Sequence, residues 1–332
     1  MDVVANLPEE KRRQLFTETA REMDVTPAII EKDFWVVWVL DKIFADHRLN
    51  KILMFKGGTS LSKVFDLIGR FSEDIDLILD WREVTKEDPE GKRSSKSKQV
   101  KFNAQVNEEA KIYINDVILP VISTLLSPLC VCRIDEEDVF NINITYPASF
   151  DDPYLKPQIL LEIGPLASWL PSDSFEISAY TAQKFPAVFD RSMCKVNAIV
   201  AKRTFWEKAT ILHQETNRIE EKPLPPRYSR HYYDLAIMAR SAVKDEALAD
   251  LELLEQVVSF KQKFYPAAWA KFEEAKPGTL KLLPEAYRMD ALAKDYKAMG
   301  HMIFDKQLSF EEIMETLGAL EDKINAMEGV SR

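Results

Sequence analysis

Cysteine is scarce in this chain: 332 residues hold three, Cys130, Cys132 and Cys194. Three thiols make no disulfide framework, and a Cys-x-Cys pair without a second pair or a histidine cluster supplies too few ligands for structural zinc. Reduced thiols buried on strands are expected instead. The chain has only four histidines; His47, His213 and His301 stand isolated and are given no role. Long apolar runs are missing too. The longest candidate, Phe34 to Leu40, is closed by Asp41 and Lys42, far short of the roughly 20 residues that span a bilayer. The N-terminus is charged rather than signal-like, so a soluble, cytoplasmic protein with no membrane partner is expected. Positive charge is in deficit, with 44 Lys and Arg against 54 Asp and Glu and a net charge of −10. That excludes a surface gripping nucleic acid everywhere, because phosphate binding is dominated by basic side chains. Internal repeats and low-complexity tracts are absent as well. What the chain does have is 46% hydrophobic content, enough for a large core in one big domain or two.

The most informative stretch is Phe55 to Leu79, FKGGTSLSKVFDLIGRFSEDIDLIL. It sets a Gly-Gly-Thr-Ser turn ahead of two carboxylates, Asp74 and Asp76, followed by the apolar run to Leu79. Residues two apart on a strand share a face, so both acids fall together at the start of a strand, where they repel unless a cation sits between them. Mg²⁺ (or Mn²⁺) suits a site of one or two carboxylates completed by water and phosphate oxygens. Gly57 and Gly58 let backbone approach a phosphate with no Cβ in the way. Thr59 and Ser60 offer hydroxyls there, or cap the following helix. A divalent metal and an NTP are therefore implied together.

That turn-then-acids arrangement resembles the nucleotidyltransferase fold of the polymerase-beta-like superfamily. Further blocks narrow the likeness: EKDFWVVWVL at Glu31 to Leu40, RTFWEKATILHQE at Arg203 to Glu215 and RHYYDL at Arg230 to Leu235. Together with GGTSLSK and RFSEDIDL they resemble the AbiEii/AbiGii toxin family of bacterial toxin–antitoxin and phage-defence systems, to which the mycobacterial MenT toxins are related. The resemblance implies an α+β fold: a nucleotidyltransferase core with a mixed sheet and a largely helical C-terminal half. It implies metal-dependent transfer of NMP from NTP to an acceptor such as the tRNA 3′ end or another RNA, with a protein hydroxyl or a non-catalytic nucleotide-binding module as alternatives. It implies a cognate antitoxin, of winged-helix DNA-binding type. It also implies a third carboxylate on a neighbouring strand, for which Glu162, alone among Ile159, Leu160, Leu161 and Ile163, is the candidate; otherwise Glu162 faces solvent from an edge strand. Lys208 and Asp234 are the lysine and aspartate of two successive helices that the resemblance brings to the site. Arg70 and Ser72, in the block resembling R-x-S-x-D-x-D, and Lys63, one turn beyond the glycines, are further candidates for nucleotide contact.

Periodicity predicts helices over 8–23 and 27–44, a strand over 52–55, a helix over 60–68, a strand over 75–79, helix over 102–126, and strands over 131–134, 139–146 and 158–163. From residue 200 onward the reading is helical, over 201–217, 229–240, 248–264, 283–302 and 310–327, with the proline-rich KPLPPRYS between the first two. Boundaries near 50 and 200 give N-terminal helices packed on the core (1–50), a nucleotidyltransferase core (51–200) and a helical C-terminal domain (201–332). The basic run KRSSKSKQVK, Lys92 to Lys101, reads either as a mobile loop bordering the site or as a solvated loop with no partner.

Overall fold

The computed structural model describes residues 1–72, 74–152, 155–304 and 307–327; Glu73 of the acidic motif and the side chain of His301 lie outside the description. The chain divides into two units, Met1–Val64 with Phe71–Ile199, and Phe65–Arg70 with Val200–Arg332.

In the first unit α1 (Asp2–Ala5), α2 (Glu9–Met23), α3 (Pro27–Ala45) and α4 (Leu49–Ile52) lead into β1 (Leu53–Lys56), α5 (Gly57–Lys63) and β2 (Asp74–Leu79). Then come α6 (Lys96–Tyr113), α7 (Leu119–Leu126), β3 (Val131–Ile134), β4 (Asn141–Thr145), β5 (Gln158–Gly164), β6 (Ser172–Ile177), α8 (Tyr180–Lys184) and β7 (Cys194–Ile199). The strands form one seven-stranded sheet in the order β3-β4-β5-β2-β1-β7-β6. It is mixed: β2 runs parallel to β5 and β1 parallel to β7, while the other pairs are antiparallel.

Period-two alternation sorts this sheet into two unlike faces. Ile75, Leu77 and Leu79 of β2 and Ile159, Leu161 and Ile163 of β5 enter the main core with α3. Asp74 and Asp76, with Glu162 of β5, take the opposite face and are half-buried. α3 is apolar almost all round, the pattern of a helix buried on every side, and its Phe34, Trp35 and Trp38 make edge-on ring pairs at 5.2 and 5.4 Å. Three consecutive charges at its start, Glu31, Lys32 and Asp33, are nonetheless buried. Glu31 accepts the backbone N–H groups of Ser149 at 2.7 Å and Phe150 at 3.2 Å, fastening the connection from β4 to β5.

Several elements depart from the sequence reading. The helix expected over 60–68 starts at Gly57 and stops at Lys63, and Asp66 then takes a left-handed φ of 49° as the chain leaves for the second unit. The helix expected over 102–126 is broken by a π turn at Ile114–Ile118; Pro120 just beyond has no N–H to donate to the preceding turn. The basic run is not all loop. Ser95 caps α6 by accepting the Lys98 N–H at 3.3 Å, so Lys96, Lys98 and Lys101 ride on the first turns of a helix, while Arg93 lies 3.4 Å from the Phe102 ring centroid. The sequence reading gave no strand for β6 or β7. β6 is an edge strand and mostly polar, so its composition reads as loop.

The second unit holds α9 (Ala201–Thr216), α10 (Ser229–Ala239), α11 (Ala242–Leu248), α12 (Leu251–Phe264), α13 (Met289–Ala298) and α14 (Phe310–Asn325). The helix expected over 248–264 is α12, which begins at Leu251 where Asp250 caps it by accepting the Leu253 N–H at 3.2 Å, and α11 just ahead of it was not expected. The span read as 283–302 is regular only from Met289, after a 3₁₀ turn at Ala286–Arg288. Ser229 is the first residue of α10 and donates its N–H and hydroxyl to Asp295 of α13 at 2.9 and 2.5 Å. Segment 65–70 joins this unit through a backbone bridge from Arg70 to Ile303 and a bond from the Phe304 N–H to the Gly69 carbonyl at 2.9 Å. Among the described residues no helix is long and apolar enough to cross a membrane.

Candidate active site

In the first unit the site is a polar row across the sheet. Asp76 is the register partner of Lys56 on β1 and of Glu162 on β5, and Glu162 is in turn opposite Asn141 on β4. Residues directly opposite on neighbouring strands share a face, so two carboxylates lie side by side with a lysine on one flank and an amide on the other. Asp74, two residues back on β2, joins the same face. β5 lies between β4 and β2, so Glu162 is on an interior strand and not an edge.

These hard oxygen donors suit a hard divalent cation. No group of three or more His, Cys, Asp or Glu side chains among the described residues is arranged to hold a metal by itself. A pair of carboxylates whose coordination sphere is completed by substrate phosphate and water is the mode Mg²⁺ adopts, and the row fits that mode rather than an all-protein cage.

The turn before α5 is fitted to the acid. Gly57 has φ +83°, and a Cβ built on it would lie 1.8 Å from Asp76 Oδ2 and 2.6 Å from its Cγ. Glycine is required twice over, for the conformation and for the contact. Gly278 serves as a control, with φ +88° and nothing within 4 Å of a built Cβ. Gly57→Ala should therefore destabilise the protein by about 1–3 kcal/mol more than Gly278→Ala, whose cost is backbone strain alone. Equal losses in chemical denaturation would remove the contact from the account.

Thr59 and Ser60 are buried, and their hydroxyls face protein. Thr59 donates to the backbone carbonyl of Asp74 and lies 3.4 Å from that of Ser72, while Ser60 donates to the Gly57 carbonyl at 2.9 Å. They shape the turn and fix the start of β2. Gly58 leaves bare backbone beside them. Lys63 pairs with Asp33 of α3, a partner that the sequence reading missed. Its signal was present in EKDFWVVWVL, where three consecutive charges stand directly before a wholly apolar run.

The second unit contains the other cluster. Arg70 holds Asp234 bidentately, Nε to Oδ1 at 2.7 Å and Nη2 to Oδ2 at 2.8 Å, and Lys208 Nζ donates to Oδ2 at 2.6 Å. Asp234 is 0% exposed. Burial alone would raise its pKa, but Arg70 and Lys208 outweigh burial and hold it well below the usual carboxylate range. A carboxylate so acidic and so fully bonded is a counter-ion, not a proton acceptor. Burial lowers the pKa of Lys208, opposed by Asp234 and aided by Arg70 and Arg230.

His231 Nδ1 lies 3.3 Å from Lys208 Nζ. The ammonium donates, so Nδ1 accepts and the ring proton sits on Nε2. Burial first, then Lys208 and Arg230, push the His231 pKa well below 6.5. Below pH 6.5 the unfolded chain therefore takes up a proton that the folded one refuses, and stability falls with pH through that window. Asp234 adds a second loss below its ordinary value of 3.8. Between pH 7.5 and 5.5 the wild type should lose stability by up to about 1.4 kcal/mol per unit from this one group, with a flatter profile in His231→Asn. Parallel urea titrations check it; identical slopes would exclude His231 as the cause.

The family described as "Nucleotidyl transferase AbiEii toxin, Type IV TA system" matches residues 38–316. Among solved structures, JHP933 from Helicobacter pylori aligns with 91% of this chain and 93% of its own at 13% identity and a TM-score of 0.44. MenT4, a nucleotidyltransferase toxin from Mycobacterium tuberculosis, aligns with 92% of this chain and 98% of its own at 15% identity, also with a TM-score of 0.44. No curated protein is significantly similar in sequence.

Proposed function

The chain belongs to the AbiEii nucleotidyltransferase toxin family, and from that premise we propose that it transfers NMP from an NTP to the 3′ end of tRNA, releasing pyrophosphate. The observation that carries this reading is the row on the sheet face opposite the main core of the first unit, where Asp76 lies beside Glu162 and against bare Gly57. Asp74 and Asp76 are the residues that would hold Mg²⁺ or Mn²⁺, with Glu162 alongside. When bound, the metal draws charge from the phosphates and makes the acceptor hydroxyl more nucleophilic. Gly57 and Gly58 admit a phosphate close to backbone, and Thr59 keeps that turn fixed to the first residue of β2. In the second unit Lys208, ordered by Asp234 beside Arg70, is the lysine that the family resemblance assigns to the chemistry. Membership of a toxin–antitoxin family brings a cognate antitoxin into the proposal as the protein that silences the activity.

The test incubates the purified chain with each radiolabelled NTP, Mg²⁺ and total RNA. Label in the tRNA band is the expected outcome, and growth arrest on expression should be relieved by the antitoxin. Label on protein alone would replace the acceptor and keep the chemistry. Nucleotide binding by calorimetry with no transfer to any acceptor would overturn the enzymatic reading.

A further inference from the structure

We infer that Lys63 is a positioning residue and not a phosphate ligand: its buried pair with Asp33 holds α5, and through α5 the Gly57 turn, in place against Asp74 and Asp76. The inference rests on the nucleotidyltransferase reading above.

α5 spans seven residues, and its N-cap Lys56 makes no side-chain capping bond. A helix that short has little stability of its own, so its position is set by the groups it is tied to. At its start, Thr59 bonds the backbone carbonyl of Asp74. At its end, Lys63 meets Asp33, the two side chains being 5% and 1% exposed. The ammonium sits 3.4 Å from the centroid of the Tyr180 ring and 3.5 Å from the Ser178 carbonyl. Asp33 in turn accepts the Tyr180 N–H at 2.8 Å. One cation thus joins α5 to α3 and to the first residue of α8.

Two features make this an anchor for the site. The chain leaves the first unit after Val64, so Lys63 is the last charged residue that can tie α5 down before it goes. The bare Cα of Gly57 lies within contact of the Asp76 carboxylate, with no room for even a methyl group, so a small shift of α5 displaces the carboxylate. Misplacement of about 1 Å is enough to cost roughly a hundredfold in rate. The Lys63 ammonium is engaged on three sides, by Asp33, the Tyr180 ring and the Ser178 carbonyl, and almost none of its side chain is exposed.

The test compares Asp33→Asn, Lys63→Met and the double variant Asp33→Leu/Lys63→Met. It measures kcat, KM for NTP and amide hydrogen exchange along α5. Each single variant should lower kcat by roughly tenfold to a hundredfold with KM for NTP changed less than about twofold, and speed exchange in α5. The double variant leaves no unpaired buried charge and should recover kcat to within about threefold of the wild type. A phosphate ligand behaves otherwise: KM for NTP would rise in every variant lacking Lys63, the double included, while Asp33→Asn stayed near wild type. That pattern would overturn the inference. Should the single variants fail to fold, the double variant decides alone on the same criterion. If the wild type transfers no label at all, the nucleotidyltransferase reading falls. Exchange still decides the pair's role: faster α5 amides in the singles and recovery in the double support it, and unchanged exchange refutes it.

Discussion

Asp76→Ala should fold normally and transfer no measurable label. The carboxylate is half-buried on the face of β2 opposite the main core, while Ile75 and Leu77 on either side of it supply the core contacts that hold the strand. Removing it takes nothing from the main core, so the thermal midpoint should move by only about 2–4 °C. Activity should behave oppositely. A carboxylate that captures a metal cannot be replaced by a methyl group, and the loss of metal-assisted charge stabilisation is expected to reach roughly a thousandfold or more. Asp76→Asn keeps shape but not charge and should fail almost as badly, whereas Asn141→Ala, in the same row, should be mild. A variant at position 76 that kept a tenth of the wild-type rate while folding properly would remove the acid from the chemistry.

The second large effect is on stability and belongs to Asp234. Its carboxylate is the counter-ion of Arg70 and Lys208, both nearly buried. Asp234→Ala leaves two cations uncompensated, and breaking a buried ion pair from one side costs about 3–5 kcal/mol. The loss should appear as a lowered urea midpoint with an unchanged slope. Removing the cations as well, in Arg70→Met/Lys208→Met/Asp234→Leu, should restore most of the stability while leaving transfer dead, because the charges are expendable for folding while the proposed function calls on Lys208. A loss below about 1 kcal/mol in Asp234→Ala would mean that the pair is solvated and contributes little.

What the sequence made legible was local. Asp74 and Asp76 two apart before an apolar run, and glycines ahead of them, state a strand face and a bare turn in residues that are neighbours along the chain. β3, β4 and β5 were readable because their residues alternate or run apolar and end in turn residues. β6 was not, since an edge strand with one deeply buried side chain, Ile177, carries almost no period. The pairing of Arg70 with Asp234 spans 164 positions, and no local pattern reports which of many aspartates an arginine meets. The destination of Lys63 was hidden for the same reason. A lysine one turn past a glycine pair looks the same in sequence whether it points to a phosphate or to a buried aspartate; only the intrusion of Glu31, Lys32 and Asp33 into an apolar helix hinted that partners were waiting.

The excursion of residues 65–70 bears on how such a chain is made and cut. Arg70 emerges from the ribosome 164 residues before Asp234, so β2 can take its place in the sheet while the hexapeptide just ahead of it still has no home. The helical unit is complete only once that early hexapeptide returns to it. Truncation at residue 200 should thus yield no autonomous C-terminal half, because a fragment beginning there has left its own guanidinium behind.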